Sequence, residues 1–320
     1  MTQTNTRAML QSAFLTAIVV VLLLIGNTVP ILNVVAMFAA PAVLGFIGIR
    51  WGIRYSIMSG VVALLLLGLV FGLWIISFSA LPVLLIGVGL GWAIDKGYSY
   101  GWQIVGPALL SLVGTGLTIV IGMAFLNINP IHEMQAMLQE FQGAMLQSYE
   151  QSGFTPEQQS ALAAQLTQSI TFFSQAMVAM FFVASCLMSY IVRGMLNWAM
   201  KRFGQGQLES LPLSEWRMPQ WGAYVMVVGW IVNYWFSKWA LTGWEWVAPN
   251  LITLGLFVCT LQGIILFWYV IGLYPLPRAA RIGFTVFAYF AMGTGLALLG
   301  LVDLLFDLRR RVFDRLRNRR

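Results

Sequence analysis

Charge is what this chain has least of. Only 9% of its 320 residues are Asp, Glu, Lys or Arg, and 59% are hydrophobic. A soluble globular chain carries about 25% charged residues, so most of this surface has no means of facing water. Mean hydropathy is +0.81, and disordered, collagen-like and disulfide-scaffold classes are excluded together. Histidine is almost missing. His132 is the only one, which removes His-rich metal sites and paired-His acid–base chemistry, and no nucleophile motif lies near it. Cysteine is confined to Cys186 and Cys259, each inside an apolar run, the usual setting of a buried structural thiol. No phosphate-binding Gly-rich loop ends in Lys, and no G-x-G-x-x-G opens a helix after a strand. The sequence therefore predicts no enzyme, no metal and no cofactor.

The formal net charge of +7 resembles a nucleic-acid signal until it is located. Arg309, Arg310, Arg311, Arg315, Arg317, Arg319 and Arg320, opposed by Asp314, hold +6 of it, leaving +1 for the other 308 residues. The basic balance belongs to a C-terminal tail. Its natural counterpart is anionic lipid at the membrane surface, and no nucleic-acid partner is expected.

Backbone groups in hydrocarbon must be satisfied internally, so apolar runs of about 20 residues read as helices. Such runs cover 9–25, 31–49, 55–76, 81–94, 102–126, 170–191, 221–241, 249–273 and 282–301. Pro41 is expected to kink the second, and Gly87, Gly89 and Gly91 suit the short fourth to close packing. The fold class is all-α, a polytopic membrane helix bundle of about 8–9 hydrophobic spans. Residues 1–198 form a six-helix membrane domain carrying an amphipathic extracytoplasmic insert at 127–169. A cytosolic loop at 199–218, membrane helices at 219–305 and a basic tail at 306–320 complete the chain.

The insert breaks the apolar pattern. Ile131, Met134, Leu138, Phe141, Met145 and Tyr149 recur at three- and four-residue spacings, an amphipathic helical stripe. Thr155-Pro156-Glu157-Gln158 reads as an N-cap, a proline at the first helical position and a capping-box glutamine. Glu133, Glu140, Glu150 and Glu157 occur there without any Lys or Arg. The helix pair is either a membrane-surface or cavity-covering element, or a solvated spacer.

Lys and Arg collect in cytoplasmic loops. Arg7, Arg50 with Arg54, and Arg193 with Lys201, Arg202 and Arg217 are expected inside, with a cytoplasmic N-terminus and the acidic insert outside. Three further complete spans would leave the arginine tail outside, against the same rule. We expect the tail inside, with one of the last three runs not crossing. The Trp-rich run beginning at Trp221 and the run broken at Gly293-Thr294-Gly295 are the two candidates.

Few residues offer chemistry. Ala13 and Ala17 form a small-x-x-x-small pair for helix packing or partner contact. Asn27, Asn33, Asn127, Asn129 and Gln175 are uncharged hydrogen-bonding groups with two readings, lining an external substrate cavity or serving as loop and helix caps. Gln262, beside Gly263, lies within a span and must find a buried partner. Asp303 and Asp307 are four apart, which on a continuing helix places them on one face, with Asp307 able to pair with Arg311. That end is either a stop-transfer anchor or a dock for a cytosolic partner.

Gly300-Leu301-x-Asp303-x-x-Phe306-Asp307-x-Arg309, with Leu261-Gln262-Gly263, resembles the YybS-like family of bacterial membrane proteins, domain of unknown function 2232. The resemblance implies an inner-membrane, multi-pass protein and supplies no mechanism. The N-terminal six-helix part is similar to the substrate-binding S components of energy-coupling-factor transporters, and more distantly to the rod-shape protein MreD. In S components an Ala-x-x-x-Ala motif on the first helix contacts the coupling module, and Ala13 and Ala17 match that motif in form. Two functions follow as expectations: a small-solute binding or uptake component, or a non-transporting envelope or morphogenesis protein that organises membrane or cytosolic partners.

Overall fold

The computed structural model describes residues 2–75, 80–125, 127, 129–151, 155–204, 206–239, 244–309 and 311. Among them it has twelve α-helices and no strand. They are α1 (Thr2–Thr28), α2 (Pro30–Trp51), α3 (Ile53–Ile75), α4 (Leu81–Asp95), α5 (Trp102–Phe125) and α6 (Pro130–Gln151). There follow α7 (Pro156–Gln175), α8 (Met177–Arg202), α9 (Trp221–Trp239), α10 (Val247–Ile271), α11 (Arg278–Met292) and α12 (Thr294–Phe306). The all-α membrane architecture expected from the runs of apolar residues is what the chain adopts.

Among the described residues, α1, α2, α3, α5, α8 and α10 are long and apolar enough to cross a bilayer. The pair α11–α12 bends by 104° at Gly293 and makes a seventh only if counted as one broken span. This count sharpens the approximate eight or nine. With 15 residues, α4 is short. Interfacial Trp and Tyr, with Asn233 and Lys238, keep α9 below the same apolarity. Pro41 lies within an unbroken α2. The sixth span starts later than its apolar run, because a turn at Ala176 separates α7 from α8, and it continues through Arg193 to Arg202.

The helices cluster into two compact units. Unit 1 comprises residues 1–163 and 181–209, and unit 2 comprises 164–180 and 210–320. In unit 1, Val19, Leu23, Leu44, Ile47, Leu67 and Leu84 form one buried cluster, and Phe46, Ile86, Leu90, Val192 and Leu196 a second. The expected close packing of α4 is realised, since Gly91 lies against the Gly45 backbone of α2. Cys186 is buried as a free thiol. Inside the bundle Thr16 donates to Ser59 at 2.7 Å and Ser56 to the Leu44 carbonyl at 2.9 Å. These hydroxyls join α1 to α3 and α3 to α2 with their polar groups satisfied. Unit 2 has its own core of Ala223, Met226, Val258, Cys259, Ala297 and Leu304.

Both insert helices form. Gln158 N–H donates to Thr155 Oγ1 and Thr155 N–H returns a bond to Gln158 Oε1 at 3.1 Å, the reciprocal pattern of a capping box.

Candidate functional site

The motif residues of unit 2 converge. α10 and α12 cross backbone against backbone: a Cβ on Gly263 would overlap the Leu296 carbonyl, and one on Gly300 would overlap the Cys259 carbonyl. No side chain larger than hydrogen permits this approach. The crossing sets two long side chains face to face. Gln262, 4% exposed, donates from Nε2 to Asp303 Oδ2 at 2.6 Å, and Asp303 is likewise 4% exposed. Gln262 Oε1 accepts from the Met218 N–H at 3.0 Å, and Asp303 Oδ1 accepts from the Arg309 N–H at 3.1 Å. The mid-span amide thus has the buried partner that its position demands.

The end of α12 corrects the expected geometry of Asp307. The helix stops at Phe306, and Asp307 turns left-handed at φ 50° and ψ 56° with its N–H on the Asp303 carbonyl at 2.8 Å. Aspartate tolerates this region better than most residues. The two carboxylates consequently do not share a helical face. Asp307 instead approaches Arg217, with Nη2 3.7 Å from Oδ1, in place of the expected Arg311. Both side chains are well exposed, so this pair contributes about 0–1 kcal/mol. The Arg309 guanidinium lies 4.9 Å from the centre of the Tyr269 ring, a cation–π contact. Arg217, Gln220, Gln262, Asp303, Asp307 and Arg309 line a small polar cavity of about 80 Å³. Chemically this is a joint: a buried carboxylate holds the first residue of the arginine run against the start of α9. Phe306 is exposed beside it, and the tail beyond Arg311 lies outside the described residues.

The amides expected to line a substrate cavity are placed one by one. Asn27 Nδ2 donates to the Leu23 carbonyl and Asn33 Nδ2 to the Gly26 carbonyl, both closing the α1–α2 turn. Asn127 is left-handed and exposed. Asn129 Oδ1 accepts from the Ile131 and His132 N–H groups at the start of α6. Gln175 offers its backbone carbonyl to Asn250 Nδ2 at 2.7 Å, while Asn250 Oδ1 accepts from the Ala179 N–H. The side-chain amides of Asn27, Asn33 and Asn129 thus serve local helix and turn geometry.

Ala13 and Ala17 are both exposed on α1, facing away from the buried Ser12, Thr16 and Val19. Ala13 lines a groove of about 810 Å³ between α1, α2 and α8, with Phe14, Phe46, Trp51, Trp198 and Phe203 among its walls. Phe46 touches Phe203 with ring centres 5.8 Å apart, and the Arg50 guanidinium sits 5.0 Å from the Trp51 ring. The groove is almost wholly apolar, with Arg50 at one end.

A third cluster, in unit 1, escapes motif reading. Arg193, 4% exposed, donates from Nε to Gln103 Oε1 at 2.7 Å and from Nη2 to the Glu209 carbonyl, and stacks 4.2 Å from the centre of the Tyr100 ring. Burial pushes the Tyr100 phenol above its ordinary value, more than the Arg193 guanidinium draws it down. Asn197 Oδ1 accepts from the Leu208 N–H at 2.9 Å, so the segment after α8 is fastened back onto it. The available signal is a lone charge in an apolar run, which needs a partner inside the protein. Arg193→Ala is expected to cost about 2–4 kcal/mol by stranding the Gln103 and Glu209 acceptors. It should also open 203–209 to protease. Thermal unfolding and limited proteolysis of the purified protein in detergent check this, and Arg193→Lys, lacking the planar fork, should recover only part.

Six bilayer-length helices, a joint of buried polar side chains and an apolar outer groove together define a helical integral membrane protein. The chain belongs to the family described as "Predicted membrane protein (DUF2232)", which matches residues 17–304. The matched stretch takes in Gln262, Gly263, Gly300 and Asp303. A protein of Bacillus subtilis (strain 168), "Uncharacterized protein YybS", is 22% identical over 315 residues, covering 96% of this chain and 99% of that protein. No solved structure matches the chain.

Proposed function

We propose that this protein is a partner-docking component of the bacterial cytoplasmic membrane, without catalytic chemistry of its own. The α1–α2–α8 groove is its docking surface, and a transmembrane helix of another protein is the occupant. One observation carries the reading. Ala13 and Ala17, the small-x-x-x-small pair, lie on an uncovered face of α1, with Ala13 lining the groove. In lipid there is no hydrophobic drive between helices, and close approach over small residues is what makes association favourable. The charge rule supports placing the groove in the cytoplasmic half, since Arg50 marks that end of α2.

Solute uptake asks for more, namely a polar cavity, and three of the five amides expected to line one, Asn27, Asn33 and Asn129, are engaged in local caps and turns. The organising role is therefore the better supported of the two. The arginines that follow Arg309 in the sequence add an electrostatic contact to anionic lipid, worth about 1 kcal/mol per residue near the surface.

A photoreactive side chain at position 14, where Phe14 is 68% exposed, is expected to give one discrete adduct in native membranes. Ala13→Leu with Ala17→Leu should reduce it about tenfold, with Tm unchanged because neither side chain is buried. The absence of any adduct would sink the docking role. Stabilisation by a metabolite together with a co-purifying ATPase would transfer the groove to an uptake complex.

A further inference from the structure

We infer that α6 pairs with α6 of a second copy of this chain, forming a short coiled coil outside the bilayer. Ile131, Leu138 and Met145 fall at a positions of a heptad, and Met134 and Phe141 at d positions, so five consecutive seam positions are apolar. The seam runs the 15 residues from Ile131 to Met145, about 21 Å of helix between the two ends. In the structure this face is only partly covered: Ile131, Met134, Leu138 and Met145 are half-buried and Phe141 is exposed. None of residues 131–149 is buried, Phe141 is 54% exposed and Met137, flanking the seam, is 70% exposed.

Charge decides between occupants. A helix lying on anionic lipid carries Lys or Arg along its polar face, and 127–169 has neither. The ionisable groups of α6 are His132, Glu133, Glu140, Tyr149 and Glu150. A foreign coiled-coil partner is selected through complementary charges at e and g. Here those positions hold Gln135, Gln142 and Tyr149, and Met137, Ala144 and Gln151. Uncharged flanks select no oppositely charged partner and raise no repulsion against an identical helix. Glu133 and Glu140 stand at c, turned away from the seam, so two copies do not oppose them. A seam of two to three heptads is weak in free solution. Two copies embedded in one bilayer meet at a high effective concentration, which is what lets so short a seam hold.

Leu138 lies midway along the seam at an a position, and in a parallel pair it faces Leu138 of the second copy. Full-length Leu138→Cys in membrane vesicles is expected to give at least fivefold more disulfide-linked dimer than Glu140→Cys on the c face. The unaltered chain, whose two thiols are buried, supplies the background. Adding Phe141→Glu to Leu138→Cys should abolish the dimer while Tm stays unchanged, showing that the loss is not misfolding. Equal cross-linking at 138 and 140, or none at either, overturns the pairing. Stronger quenching of a fluorophore at 138 than at 140 by spin-labelled lipid also overturns it, because the stripe would then lie in the membrane.

Discussion

Asp303→Asn is expected to destabilise the protein by about 2–4 kcal/mol, although the two side chains are nearly identical in shape. The reason is the direction of each hydrogen bond. Gln262 Oε1 accepts from the Met218 N–H, which fixes Nε2 as the donor facing residue 303, and the Arg309 N–H donates to the other oxygen of the same carboxylate. A carboxylate accepts on both sides. An amide accepts on one and presents NH₂ on the other, so either flip of the substituted side chain sets donor against donor in a site 4% exposed. A buried group left unsatisfied costs about 1–3 kcal/mol, and the lost charge-assisted bond adds to it. Gln262→Glu combined with Asp303→Asn is expected to recover most of the loss. The carboxylate now at position 262 would accept from both the Met218 N–H and the new amide at position 303. The carbonyl of that amide would still accept from Arg309. A coupling of about 1–3 kcal/mol in that double-mutant cycle marks residues in direct contact. Unfolding of the four proteins in detergent measures it, and additive losses would show that the hydrogen-bond directions drawn here are wrong.

Gly300→Ala is the second large effect. One methyl group has nowhere to go between α12 and the Cys259 carbonyl of α10, and backbone cannot yield as a flexible side-chain tip does. The helices must separate, at a cost of about 1–3 kcal/mol or more. Separation also pulls Asp303 away from Gln262, so overpacking and the lost hydrogen bond combine. Gly263→Ala should act alike through the Leu296 carbonyl. By contrast, Gly283→Ala on α11, where an added Cβ meets nothing within 4 Å, is expected to be neutral or slightly stabilising through helix propensity. Tm and steady-state levels in the membrane separate the two classes. A harmless Gly300→Ala would contradict the close crossing.

The helical architecture is legible in the sequence because hydrocarbon leaves so few alternatives for the backbone. The capping box at Thr155 and the break at Gly293 are readable for a related reason, each resting on local chain chemistry. Apolarity alone places the sixth span too early, since it rises through 170–175 before the turn at Ala176 ends α7. Within the site, Gln262 announces itself as a mid-span amide that needs a partner. Its bond to Asp303, 41 residues away, is not readable, because no local spacing encodes which helices cross. The side-chain pairing of Asp307 with Arg311 fails for a similar reason: Asp307 is left-handed, so although the Arg311 N–H reaches its carbonyl at 3.1 Å, the carboxylate lies by Arg217. Arg217 enters the sequence reading only as a charge for topology, although it stands beside Asp307.

Seven arginines follow α12 in the sequence. Dragging each guanidinium through the centre of a bilayer costs about 2.5–3.5 kcal/mol on insertion scales. A straight span ahead of them would require the whole group to make that passage after synthesis. The 104° bend between α11 and α12 goes with an Arg309 that lines one cavity with Arg217, just ahead of α9. Counted as a re-entrant pair, α11–α12 would enter and leave on one face and spare the arginine run that passage; counted as one broken span, it would not.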